Sequence, residues 1–147
     1  MRPLLLLAPL LLLAGCADLA PPEQNAAELA ALKPAADCKA TLPFFGHYRP
    51  VGERIPMYAE PDGQIDMAND GGWCVIRYQV VLDYAPTTGQ GHVKQSPAHG
   101  RVIVGTLNGL LNIAYRPEPG YSGPDFFTVR MTNPEPNTVP VRVTVRP

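Results

Sequence analysis

The sequence is poor in charge and in histidine, has a single tryptophan, and contains no apolar run long enough to span a membrane. Charged residues make up 17% of its 147 positions, against about 25% in an ordinary soluble domain. Twelve Lys and Arg face thirteen Asp and Glu, a formal net charge of −1, which leaves no electrostatic footprint for nucleic acid. The longest apolar stretch, Leu4 to Leu13, covers ten residues, whereas a helix needs about 20 to cross a bilayer. The three histidines, His47, His92 and His99, are too far apart to share a short metal-ligand spacing, so no zinc or copper site is expected. Gly-x-Ser-x-Gly and Cys-x-x-Cys are both missing, which removes the local signatures of a serine hydrolase and of a thiol redox site. Neither a catalytic residue nor a cofactor is expected.

What is present begins with an export signal. Met1-Arg2-Pro3 supplies one positive charge, Leu4 to Leu13 a short apolar core, and small residues follow, the layout of a signal peptide. Leu13-Ala14-Gly15-Cys16 resembles the bacterial lipobox. The resemblance implies diacylglycerol on the Cys16 thiol, cleavage before it, and acylation of the new amine. Two or more acyl chains anchor a protein stably where one does not. Ala17 rather than Asp follows Cys16, which in the Gram-negative sorting pattern points to the outer membrane. Residues 1–15 are read as signal peptide, 16–37 as lipidated cysteine and tether, and 38–147 as the folded domain. Losing Arg2 from the twelve basic residues leaves eleven against thirteen acidic, a net charge of −2.

With Cys16 assigned to lipid, Cys38 and Cys74 remain as an even pair in an oxidising compartment. A bond between them closes a loop whose entropy is worth about 4 kcal/mol. The alternative is a redox pair or metal site, but only His47 lies between them, so the spacing favours a structural bond. Residues 17–37 are Ala- and Pro-rich, with neither aromatic nor β-branched side chains. Such a composition buries too little surface to fold alone. Glu23 to Leu32 suits two or three fraying helical turns, and the alternative to a tether is a helix that docks on a partner.

From Cys38 onward Pro, Gly and Asn-Asp-Gly clusters punctuate short apolar segments, as in a β-sandwich or barrel. Val139, Val141, Val143 and Val145 alternate with Pro140, Arg142, Thr144 and Arg146, a half-buried strand. Pro140 lacks an N–H and belongs at the start of that strand or on an edge. Phe127, Val129 and Met131 alternate in a second strand, and Leu111, Ile113 and Tyr115 in a third. Arg101 to Val104, Trp73 to Leu82, Gln64 to Met67 and Arg54 to Tyr58 complete about seven strands.

Residues 96–147 carry a more specific pattern. Pro97-Ala98-His99-Gly100-Arg101-Val102 is followed by Tyr115-Arg116-Pro117-Glu118-Pro119-Gly120-Tyr121-Ser122-Gly123-Pro124-Asp125-Phe126-Phe127 and a terminal Val-x-Val strand. This resembles bacterial Ig-like domains of the cadherin-like type, and implies an all-β, Ig-like sandwich. Gly120 and Gly123 suit positions needing positive φ. Asp125 suits a turn whose N–H groups it accepts. Tyr115, Tyr121 and Phe127 are expected to plug the end of the sandwich, and His99 and Gly100 to start a strand. Cadherin-like domains invite calcium, and Asp66-Met67-Ala68-Asn69-Asp70-Gly71 is a faint loop. Ala68 and Arg77 stand where the EF-hand pattern wants oxygen ligands, so no metal is expected.

If the last two strands pair, Arg130, Arg142 and Arg146 share an outward face able to fork onto phosphate or carboxylate. The plainer reading is a solvated face that blunts aggregation. The expected function is a membrane-anchored envelope lipoprotein, attached to the bilayer through Cys16, that presents an Ig-like module to a protein or glycan partner. The alternatives are an accessory subunit of an outer-membrane secretion or assembly complex, and an enzyme acting on envelope polymers.

Overall fold

The structure, a computed structural model, describes residues 23–41, 48–51, 62–82, 85–133 and 136–147. Cys16, His47 and the 54–58 stretch lie outside the described residues. Among the described residues one short helix, α1 (Ala26–Ala30), precedes ten strands. These are β1 (Cys38–Thr41), β2 (Tyr48–Pro50), β3 (Gly63–Ala68), β4 (Cys74–Leu82), β5 (Ala85–Thr87), β6 (Gln90–Gln95), β7 (Gly100–Leu107), β8 (Leu110–Pro117), β9 (Gly123–Asn133) and β10 (Asn137–Arg146). They form two sheets, β1-β3-β10-β9-β6 and β2-β4-β8-β7, with β5 continuing the pairing of β4. The fold is the expected all-β sandwich of Ig-like type.

Period-two patterning builds the core. Val139, Val141, Val143 and Val145 of β10 point inward, as do Phe127, Val129 and Met131 of β9. They meet Ile76, Tyr78 and Val80 of β4 and Leu111, Ile113 and Tyr115 of β8 from the facing sheet. β10 is central, antiparallel to β9 and parallel to β3. Pairing with β3 starts only at Val141, so at Pro140 the described strand has a neighbour on one side only, where a missing N–H costs least. Cys38 and Cys74 are bonded, Cα atoms 5.4 Å apart, an unforced separation for a disulfide. The bond ties β1 of one sheet to β4 of the other.

Two expectations are corrected. The first concerns the 16–37 tether: from Glu23 onward it belongs to the folded unit. Leu29 of α1 is 7% exposed and packs with Trp73, Ile103 and Ala114, flanked by Leu32, Val75 and Leu107. This second core lies on the outer face of the β4-β8-β7 sheet. The segment then runs beside Trp73, whose N–H donates to the Lys33 carbonyl and whose carbonyl accepts the Ala35 N–H, both at 2.9 Å. A segment too apolar-poor to fold alone is ordered here because a finished sheet supplies the other half of its core. The second concerns β8, expected to be half-buried. It is buried on both faces, because Asn112 and Ala114 lie beneath the N-terminal segment.

The same segment covers a sheet edge. β7 is the outer strand of its sheet. Gln24 pairs with Thr106, its carbonyl accepting the Thr106 N–H at 2.7 Å and its own N–H donating to Thr106 Oγ1 at 2.6 Å. The Asn25 side chain donates to the Val104 carbonyl at 2.6 Å. Asn25 stands at the N-cap of α1 with φ 54° and makes no side-chain cap; its amide serves the docking instead. An unpaired edge is a template for aggregation, and here the chain's own N-terminal segment occupies it.

Candidate functional site

The sequence pattern in 97–127 converges on one corner of the sandwich. Asp125 is only 8% exposed. Its carboxylate accepts N–H bonds from Ala98 at 2.9 Å, His99 at 3.1 Å and Phe126 at 2.8 Å, and the Tyr115 hydroxyl at 2.9 Å. A buried carboxylate is tolerable when so many donors surround it. The donors come from the loop before β7, from β8 and from β9, so Asp125 ties together both halves of the motif rather than one turn. Burial pushes the Tyr115 hydroxyl well above its ordinary pKa, and the bond to Asp125 adds to the rise.

The other motif residues complete the corner. Tyr115 and Phe127 are fully buried and stack with ring centroids 5.8 Å apart. Gly100 lies flat on Tyr115, since a Cβ there would come within 2.5 Å of the ring. Gly120 and Gly123 have φ of 76° and 135°, a region open to glycine alone at little cost. Tyr121 donates its hydroxyl to the Pro124 carbonyl at 2.6 Å and stacks on His99 at 4.2 Å. His99 Nδ1 is 3.9 Å from Glu118. All of these residues hold the corner in shape.

The polar side chains of Asp66, Asn69 and Asp70 bond to the protein itself. Asp66 accepts from Arg146. The Asn69 amide donates to the Glu118 and Tyr121 carbonyls at 2.7 and 2.9 Å. Asp70 accepts the Ala36 and Gly72 N–H groups at 2.7 and 2.8 Å, which hold its carboxyl below the usual range.

Arg130, Arg142 and Arg146 do share one outward face, because Arg130 sits opposite Thr138 in the β9–β10 register. Positions 138, 142 and 146 are spaced along β10 by about 13 Å, so the three form a line rather than a cluster. Two are already paired. Arg142 bonds Asp62 at 2.8–2.9 Å. Arg146 bonds both Asp66 and Asp37 at 2.6 Å, and these bonds raise its pKa. Arg130 donates to Thr138 Oγ1 at 3.0 Å. Parallel pairing of β3 with β10 brings Asp66 opposite Thr144, and no local pattern in the sequence announces that neighbour.

The same face carries a concavity that sequence reasoning missed. β6 and β9 stay paired up to Gln95 and Thr128; beyond them the chain leaves β9 and turns through 96–99, where Asp125 holds it. The gap is an open groove of about 640 Å³ lined by Gln95, Ser96, His99, Phe126, Arg142 and Thr144, among others. Phe126, opposite Arg142 in the register, is half-buried and shares the lining with Gln95, Ser96, Arg142 and Thr144. The only sequence signal was Phe126 itself, an apolar residue at an outward position beside inward Phe127. A second hollow lies across β10, lined by Lys39, Thr41, Gln64 and Asp66 and sharing Arg142 and Thr144. No protein-family model, curated protein or solved structure matches the chain.

Proposed function

We propose that the protein is a lipid-anchored envelope lipoprotein whose sandwich binds a glycan in the groove between the 96–99 loop and strands β9 and β10. The observation that carries the reading is the asymmetry of the two outer faces. The β4-β8-β7 face is covered by the chain's own N-terminal segment. Among the described residues the opposite face is uncovered, and it holds the groove. Concave sites that mix an apolar wall with a few convergent polar groups are the usual form of a ligand site. Phe126 offers a surface for the C–H face of a sugar ring, and Gln95, Ser96, Arg142 and Thr144 offer donors and acceptors for hydroxyls. Because Asp62 already balances Arg142, the chemistry favours a hydroxyl-rich ligand over a multiply charged phosphate.

Sedimentation of the mature chain with purified cell-wall glycan tests this. Wild-type protein is expected to pellet with the polymer, Phe126→Ala to bind about tenfold more weakly, a change of about 1.4 kcal/mol, and Arg130→Ala to bind as wild type. Retention of full affinity by Phe126→Ala, or binding to an envelope protein in place of any glycan, would overturn the reading.

A further inference from the structure

The lipid reading of Cys16 and the docking of Glu23–Asn25 together set how the domain sits on its membrane. Glu23 follows Cys16 by only seven positions, and seven chain steps reach at most about 25 Å. Where it arrives is fixed. The Glu23 side chain accepts the Gly109 N–H at 3.1 Å, in the β7–β8 turn, and Gln24 is paired with Thr106. Gly105 protects that attachment, since a Cβ there would collide with the Gln24 carbonyl. The chain therefore enters the fold at the end of the sandwich that holds the β7–β8 turn.

The groove is at the other end. β7 runs from Gly100, next to His99 in the groove wall, to Leu107, next to the turn that holds Glu23. Eight strand residues span about 25 Å. The anchor and the groove thus occupy opposite poles of one rigid element.

We propose that the β7–β8 end of the sandwich is the membrane-facing pole and that the groove opens away from the anchoring leaflet, toward a polymer lying up to about 50 Å from it. This rests on acylation of Cys16, and it narrows the glycan class: cell-wall polymer strung beyond the membrane, rather than the sugars of lipids in the same leaflet. The short connection keeps the lower pole close to lipid, while the groove pole has the length of the sandwich as a stand-off.

Fluorescence quenching in vesicles tests the orientation. Full-length acylated protein is inserted into phosphatidylethanolamine–phosphatidylglycerol vesicles containing brominated lipid. An environment-sensitive fluorescent amino acid replaces either Pro136, exposed beside β10 at the anchor end, or Ser96, exposed at the groove. The Pro136 probe is expected to be quenched at least twofold more than the Ser96 probe. Fourteen Gly/Ser residues inserted after Ala17 are expected to reduce the Pro136 quenching. Equal quenching of the two probes, or stronger quenching at Ser96, with acyl mass confirmed on Cys16, overturns the orientation. Absence of acyl mass together with loss of vesicle binding overturns the anchor reading, and the orientation with it.

Discussion

Asp125 accepts four hydrogen bonds from three separate parts of the chain. Asp125→Asn replaces one acceptor oxygen by a donor, leaving buried N–H or O–H groups unsatisfied. The expected loss is about 2–3 kcal/mol in urea unfolding; a change below about 0.5 kcal/mol would mean that water replaces the lost acceptor. Asp70 works differently, at the surface. Its backbone bonds lower its pKa, so its folded value lies below its unfolded one. Its contribution is complete above about pH 4 and is lost as pH falls through the folded value. Asp70→Asn is therefore expected to be less stable than wild type at pH 7, with the gap narrowing at pH 3. A gap independent of pH would contradict the assignment. The buried hydroxyls of Tyr78 and Tyr115 have raised pKa values. Their contribution is intact below pH 10 and is lost as pH rises beyond it, which predicts a cooperative alkaline unfolding visible as a jump in tyrosinate absorbance.

Among the elements, the N-terminal segment is the least expected part of the fold. Leu29→Ala removes its main apolar contact and is expected to cost about 2 kcal/mol. Gly105→Ala pushes Gln24 off the β7 edge, and hydrogen exchange at the Thr106 amide should accelerate, while amides in β10 keep their protection. Unchanged exchange at Thr106 would mean that the edge is protected by something other than Gln24. The strands announced by alternation, β8, β9 and β10, stand where the sequence placed them, because strict period two with one apolar face has a single solution. β3, β4 and β7 were also legible. β1, β2, β5 and β6 were not: CKAT, YRP, APT and QGHVKQ are short or polar, and they become strands only because a neighbour offers an edge. The docking of Leu29 and Leu32 was illegible for a related reason. The partner face is made of Ile103 and Ala114, residues that look like ordinary strand positions until the layers are assembled.

For the whole molecule, the sandwich is pinned across its layers by Cys38–Cys74, whose 36-residue separation corresponds to about 4 kcal/mol of loop entropy. Reduction is expected to lower the urea midpoint markedly while leaving a folded protein at low denaturant, and no change on reduction would contradict that role. The arginine line was legible as a shared face, but its charge balance was not, since Asp37, Asp62 and Asp66 reach it through strand order rather than sequence proximity. The groove was invisible for the same reason: it exists where two strands part.

The most direct test of glycan binding on this face is amide chemical-shift mapping of the isotopically labelled mature chain titrated with soluble cell-wall glycan fragments. Binding in the groove predicts saturable shifts confined to Gln95, Ser96, His99, Phe126 and Thr144 and their neighbours. Shifts centred on the α1 side of the sandwich, or none at saturating glycan, would contradict it.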